Sequence, residues 1–306
     1  MSPRIIGSDL EAKLDWHALG EAFAAGHLLP RAEITDSFLY RGDDTLLSRA
    51  AWIDGLGVLV KSATIFPGNT AQGKPAIGGS VSLFNDGDGT LDAILDFHLV
   101  TKWKTAGDSA FAASRLARRE SRNILIVGTG TVGRNLHAAY SAYFPDAEFT
   151  IWNRSPTGAA RFAEDCPATR VAPDLAEAVG QADIITSATM TTEPLIQGDW
   201  LRAGQHLDLI GAYRPDMREA DDTALTRARI FVDSRETTIG HIGELKDPIA
   251  RGVISEADVI ADYYDLSDGR FARQSADEIT LFKNGGGAHL DLMTSAYILS
   301  QASGSP

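Results

Sequence analysis

Between Asn123 and Tyr143 the chain reads "NILIVGTGTVGRNLHAAYSAY". Asn123 to Val127 is a short, β-rich apolar run of the kind that forms a buried parallel strand. Gly128, Gly130 and Gly133 follow in the spacing G-x-G-x-x-G, and from Val132 the apolar positions recur with helical spacing. Together these residues can bind a pyrophosphate. The first glycine permits a tight turn, the second lets backbone approach the phosphates, and the third lets helix and strand pack closely; the helix N-terminus offers its N–H groups to the anion. Glycine turns of this spacing also arise by chance, so the flanking strand and helix carry the inference. Gly128, Thr129, Gly130, Thr131, Val132 and Gly133 are therefore expected to contact a dinucleotide.

The next strand, "EFTIW", ends at Trp152 and is followed by Asn153, Arg154 and Ser155. NAD-binding chains commonly carry Asp or Glu there, accepting hydrogen bonds from the ribose hydroxyls. A carboxylate would repel a 2′-phosphate, whereas a guanidinium can pair with it. The expectation is NADP(H) in preference, with NAD(H) possible; the alternative is a solvated arginine at a strand end. "LAEAVGQA" reads as a helix and "DIITSAT" as a strand with Thr189 at its cofactor-facing end. "HLDLIGA" and "ARIFVDS" read as further strands, and Ile210 in the first is assigned to the cofactor too.

More than a hundred residues precede this unit, and they must build something else. "SFLYRGDDTLLSRAAWI", "LGVLVKSATIF" and "GGSVSLFNDGDGTLDAILD" are strand-like runs broken by Gly and Asp turns, with a hairpin signal at "NDGDGT". "TAGDSAFAASRLARRE" is helical and leads into the glycine motif, while "LFKNGGGAHLDLMTSAYILSQA" reads as a glycine-rich loop entering a final helix. If that helix returns to the first domain, the chain is an α/β protein with an inserted Rossmann domain. Residues 1–115 and 284–306 then form a discontinuous α/β substrate and dimerisation domain, and residues 116–283 the NAD(P)-binding domain.

Composition narrows the function. The 306 residues are 44% hydrophobic, enough for two cores, and the net charge of −13 argues against nucleic acid. No run approaches the ~20 apolar residues of a membrane span, and "MSPRIIGSDLEAKLDW" lacks a signal peptide's apolar stretch. A single cysteine, Cys166, fits a reducing cytoplasm and has no activating pair around it. The seven histidines are scattered without H-x-H or H-E-x-x-H, so no metal is expected.

A family resemblance is carried by "LLPRAEI", "VKSATIFPGN", "VSLFNDGDGTLDAILD", "VTKWKTAGDSAFAASRLA" and "ILIVGTGTVGRN", then "IWNRS", "TTEPLIQGDWLRAGQHLDLIGAYRPDMREADD", "FVDSRE" and "ITLFKNGGG". Over nearly its whole length the chain resembles the ornithine cyclodeaminase/mu-crystallin family, and its second half resembles the ketimine reductase branch, which shares W-N-R and prefers NADPH. The resemblance implies a Rossmann domain plus an α/β domain that dimerises through its sheet, acting on amino acids and their imines. It assigns Arg31, Lys61 and Lys104 to the substrate carboxylate. That assignment is chemically sensible, because converging cations fix an α-imino acid and a lysine can relay a proton to the imine nitrogen. Arg31 and Lys104 could instead be surface charges, but an ammonium at Lys61, inside "VLVKSATIF", would be costly without a purpose.

Four departures from the family pattern matter. Lys104 stands where an arginine is usual, replacing a fork with a point charge. Tyr213 of "GAYRPD" occupies the place of the cyclodeaminases' catalytic Asp, and Asp216 lies too far along to substitute simply. Arg49 of "LLSRAAW" replaces a proline; it is either a surface arginine or a pocket cation that would suit a second carboxylate, as in iminosuccinate reduced to aspartate. The "NGGGAHLDL" loop also departs from the usual pattern. The leading expectation is an NAD(P)H-dependent reductase, possible members of its class being imine reductases, ketimine reductases and amino-acid dehydrogenases, with Lys61 catalytic, Arg31, Lys61, Lys104 and Arg49 substrate-binding, a small imino or amino acid as substrate, and a homodimer. The alternatives are an ornithine cyclodeaminase, disfavoured by Tyr213, and a non-catalytic NADPH or small-ligand binder.

Overall fold

The structure, a computed structural model, describes residues 2–303. These fall into two compact units: one runs to Thr105 and resumes at Gly286, and the other is Ala106–Gly285.

The first unit contains β1 (Arg4–Ile6), α1 (Trp16–Gly26), β2 (Glu33–Arg41), β3 (Asp44–Ile53), β4 (Gly57–Ile65), β5 (Ile77–Phe84), β6 (Leu91–Leu95) and the start of α2 (Phe97–Leu116). Asp15 caps α1 by accepting from the Ala18 N–H at 2.8 Å. The strands form a six-stranded sheet in the order β1-β6-β5-β4-β3-β2. All its neighbours are antiparallel except β1 and β6. In β4 the two-residue period is plain: Gly57, Leu59, Lys61 and Ala63 are buried, and Val58, Val60, Ser62 and Thr64 are more open. Lys61 thus occupies a core register that its strand otherwise gives to apolar or small residues.

The second unit alternates strands and helices: β7 (Asn123–Val127), α3 (Thr131–Tyr143), β8 (Glu148–Trp152), α4 (Pro156–Asp165), β9 (Arg170–Val171), α5 (Leu175–Gln181), β10 (Ile184–Ser187), β11 (His206–Leu209), α6 (Asp222–Arg227), β12 (Ala228–Val232), α7 (Arg235–Thr238), α8 (Gly243–Ala250), β13 (Val259–Ala261) and β14 (Ile279–Lys283). Its eight strands are all parallel, ordered β13-β12-β14-β11-β10-β7-β8-β9. Leu125, Val127, Ile185, Leu207, Leu209, Ile230, Val232 and Leu281 form its core, each such side chain worth roughly 1.5–3 kcal/mol on full burial. The order reverses between β7 and β10, the topological switch point at which doubly wound sheets bind ligands. The chain then returns to the first unit as α9 (Ala288–Ser303), which packs on β2–β5 and on α1.

One boundary differs from the sequence expectation. α2 is a single continuous helix, but the division falls at Thr105/Ala106, before residue 115. Its second half is built into the parallel unit: Ser109 donates to Asp208 at 3.0 Å, and Phe111 meets Tyr263 edge-on at 5.4 Å. No helix among the described residues is long and apolar enough to cross a membrane.

Candidate active site

In the parallel unit, β7 runs into Gly128, whose φ of +109° is open to glycine alone at no cost. A Cβ at Gly128 would come within 2.9 Å of the Ala188 carbonyl, and one at Gly133 would run into the Gly128 carbonyl, so helix and strand pack as closely as their backbones allow. Gly130 differs: nothing lies within 4 Å of where its Cβ would be, and no side chain caps α3. The turn therefore presents open space at uncapped helix N–H groups, which fits a pyrophosphate. Thr131 is exposed and Thr129 and Val132 are half-buried beside it. At the end of β8, Asn153 Nδ2 donates to Ser155 O at 3.1 Å, and Ser155 caps α4. Arg154 is exposed and makes no ion pair among the described residues. Thr189, beyond β10, donates from its N–H and hydroxyl to Glu219, each at 2.8 Å. Ile210, beyond β11, has a buried side chain.

In the other unit, sheet register brings charges into one row. Asp36 of β2 pairs with Arg49 of β3, and Arg49 pairs with Lys61 of β4. Two cations directly opposite on neighbouring strands would repel. Asp291 of α9 resolves this: its Oδ1 accepts from Lys61 Nζ at 2.8 Å and its Oδ2 from Arg49 Nη1 at 3.3 Å. Arg49 also grips Asp36 with two nitrogens, at 2.6 and 3.1 Å. Lys61 Nζ additionally donates to Thr101 Oγ1 at 2.8 Å and lies 4.9 Å from the Phe97 ring centre. Phe97, Thr101 and Lys104 are spaced to share one face of α2. Lys104 Nζ donates to Gly286 O at 3.1 Å, the carbonyl that Arg49 Nη1 reaches at 2.9 Å. Gly286 has φ +63°, so the glycine-rich loop turns a carbonyl toward both cations. No carboxylate closes on Lys104 among the described residues.

Burial pushes the Lys61 ammonium down to about 8; Asp291 works against this, and Lys104 and Arg49 with it. Asp291 is raised by burial, but Lys61, Lys104 and Arg49 outweigh that and hold it at about 2. His289, fully buried on α9, is driven to about 3 by burial and then by Lys104, with Arg49 and Arg31 adding to the effect. It stays neutral at working pH, whereas the lowered Lys61 ammonium can release a proton at about 8. Arg31 is exposed, beside Glu33, Trp52 and Asp54, with its charge felt at His289.

The structure thus gathers Arg31, Arg49, Lys61 and Lys104 around α9. It also adds residues that the sequence reading did not single out: Asp36, Thr101, His289 and Asp291. The available signal was the polar pair His289 and Asp291 inside the otherwise apolar "AHLDLMTSAYIL". In the parallel unit, Tyr213 is exposed and Asp216 is engaged by Arg214 at 2.8 and 2.9 Å.

The model of the ornithine cyclodeaminase/mu-crystallin family matches residues 53–305. A Δ1-pyrroline-2-carboxylate reductase of Paracoccus denitrificans is 51% identical over 296 residues, covering 95% of this chain and 94% of that one. The ketimine reductase mu-crystallin of Mus musculus is 32% identical over 239 residues, covering 78% and 74%. The structure of Thermococcus litoralis Δ1-pyrroline-2-carboxylate reductase in complex with NADH and L-proline superposes with a TM-score of 0.89 at 25% identity, covering 98% and 97% of the two chains.

Proposed function

Because the chain belongs to the ornithine cyclodeaminase/mu-crystallin family, we propose that it is an NAD(P)H-dependent reductase of a cyclic 2-carboxy imine, with Δ1-pyrroline-2-carboxylate as substrate and L-proline as product. The observation that carries this is Lys61, a buried ammonium at about 8 that is held by Asp291 among further cations. Arg31 and Lys104 take the substrate carboxylate, and Lys61 gives its proton to the imine nitrogen as the imine carbon is reduced. NAD(P)H, bound at the glycine turn, supplies the hydride. Asp291 keeps the Lys61 ammonium charged and aimed while Thr101 accepts its second hydrogen bond. After turnover the neutral amine of Lys61 regains a proton from solvent.

Arg49 favours this substrate over iminosuccinate. Its nitrogens are committed to Asp36, Asp291 and Gly286 O, so it offers little to a second carboxylate. The engaged Asp216 and exposed Tyr213 disfavour cyclodeamination. Arg154, exposed and without an ion pair among the described residues, supports NADPH over NADH. The outward face of the six-stranded sheet, with Ala50, Val60, Ser62 and Ser82 at its centre, is free of charge there and supports a homodimer formed through that face. The test is NADPH absorbance with purified protein. Rapid oxidation with Δ1-pyrroline-2-carboxylate and slow oxidation with oxaloacetate plus ammonia is the expected result. Turnover of the second substrate alone would reverse the substrate assignment, and turnover of neither would favour a binding protein.

A further inference from the structure

We propose that Glu219 is a positioning residue for the nicotinamide end of the cofactor, acting through the two backbone segments that leave β10 and β11. The proposal rests on the reading that the glycine turn holds NAD(P)H. In a doubly wound sheet the pyrophosphate sits at the first strand's turn and the two nucleoside halves lie to either side. Here β8 and Arg154 flank β7 on one side, and β10 and β11 lie on the other. The ends of β10 and β11 are therefore the nicotinamide side.

Those two strands are paired only as far as Ser187 and Leu209. Beyond that register the fully buried Glu219 carboxylate links them. Its Oε1 accepts from Ser187 Oγ at 2.6 Å and from the N–H and hydroxyl of Thr189, each at 2.8 Å. Its Oε2 accepts from the N–H groups of Gly211 at 2.6 Å and Ala212 at 3.1 Å. The segments are in direct contact, because a Cβ at Gly211 would run into the Thr189 backbone. Glu219 is itself anchored from behind. Its N–H donates to Glu244 at 2.7 Å, and that of Ala220 donates to the same carboxylate at 3.1 Å. The buried Lys283 supplies opposite charge to both acids and donates to Leu209 O at 2.7 Å, steadying the end of β11.

Three of the five groups facing Glu219 are backbone N–H groups that can only donate, that of Thr189 at Oε1 and those of Gly211 and Ala212 at Oε2, so a carboxylate serves both sides where an amide serves one. Glutamine would turn its own NH2 against at least one set of donors and release the Thr189 or the Gly211 segment. The adenosine half, on the far side of β7, would not sense this. That separates positioning from general destabilisation, which would weaken every ligand of the domain.

The experiment measures, for wild type and Glu219→Gln, the affinity of NADPH and of 2′,5′-ADP, which lacks the nicotinamide. If wild type prefers NADH, the pair becomes NADH and ADP. The expected result is a loss of about tenfold or more for the whole dinucleotide, with the adenosine fragment within about twofold of wild type. Should Glu219→Gln not fold, Ser187→Ala removes one donor and leaves the carboxylate; a loss of about fivefold for the dinucleotide alone is then expected. A wild type that binds neither ligand overturns the cofactor reading. A wild type that binds both, with a variant that loses both equally or neither, overturns the role of Glu219 alone.

Discussion

Lys61 Nζ and Asp291 Oδ1 lie 2.8 Å apart, separated by 230 positions in the chain and both buried. The pair joins a strand to the helix packed on it and makes a charged core position tolerable. A buried ion pair is seldom a net source of stability, because desolvation offsets much of the attraction. On the proposed function its value is chemical, since it holds beside Lys104 an ammonium that burial lowers to about 8.

Lys61→Ala should therefore reduce kcat/KM by more than about tenfold while NADPH binding stays near wild type. Fluorescence titration of the cofactor alongside steady-state rates separates the two effects. An unchanged kcat/KM would remove Lys61 from the mechanism.

The pH profile follows from the same pair. Lys61 must carry a proton to donate it, and it loses that proton as pH rises through about 8, so kcat/KM should fall on the alkaline side with a limb in that region. Asp291 raises the Lys61 value; in Asp291→Asn the limb should therefore move to lower pH. A limb that stays fixed, or moves upward, would contradict the assignment of Lys61 as the proton donor.

Arg154 is exposed and makes no ion pair among the described residues, so removing it should cost the fold little. Arg154→Ala should weaken NADPH binding by about tenfold or more through loss of a charge-assisted contact to the 2′-phosphate, with NADH almost unaffected. If the ratio of the two affinities is the same in wild type and variant, the arginine is only surface charge.

Ornithine offers a check on the competing chemistry. With Tyr213 at the turn and Asp216 tied to Arg214, the wild type should release no detectable ammonia or proline from ornithine in the presence of NAD+. Robust ammonia release would move the protein to the cyclodeaminase reading.

The parallel-sheet half was open to local reading. A buried strand, a turn that only glycine can take and a helix packed against that strand are neighbours in sequence, so their spacing carries the information, as Gly128, Gly130 and Gly133 show. The parallel strands β7, β8, β10, β11 and β12 announced themselves as apolar runs for the same reason. The two-residue β9 and three-residue β13 are too short to leave a pattern. The place of β14 between β11 and β12 is a matter of pairing order, which no local run encodes. Lys61 was visible because an ammonium in an apolar alternation is conspicuous. Its partners were not. The row Asp36, Arg49, Lys61 exists only once two hairpins set their register, and Asp291 joins it only when the last helix folds back across the sheet. Glu219 likewise reads as one acid among many in "RPDMREADD" until the ends of β10 and β11 converge on it. Periodicity along the chain determined the elements and the glycine turn; the buried charges were matched by tertiary packing, because electrostatic partners need proximity in space and leave no required spacing in sequence.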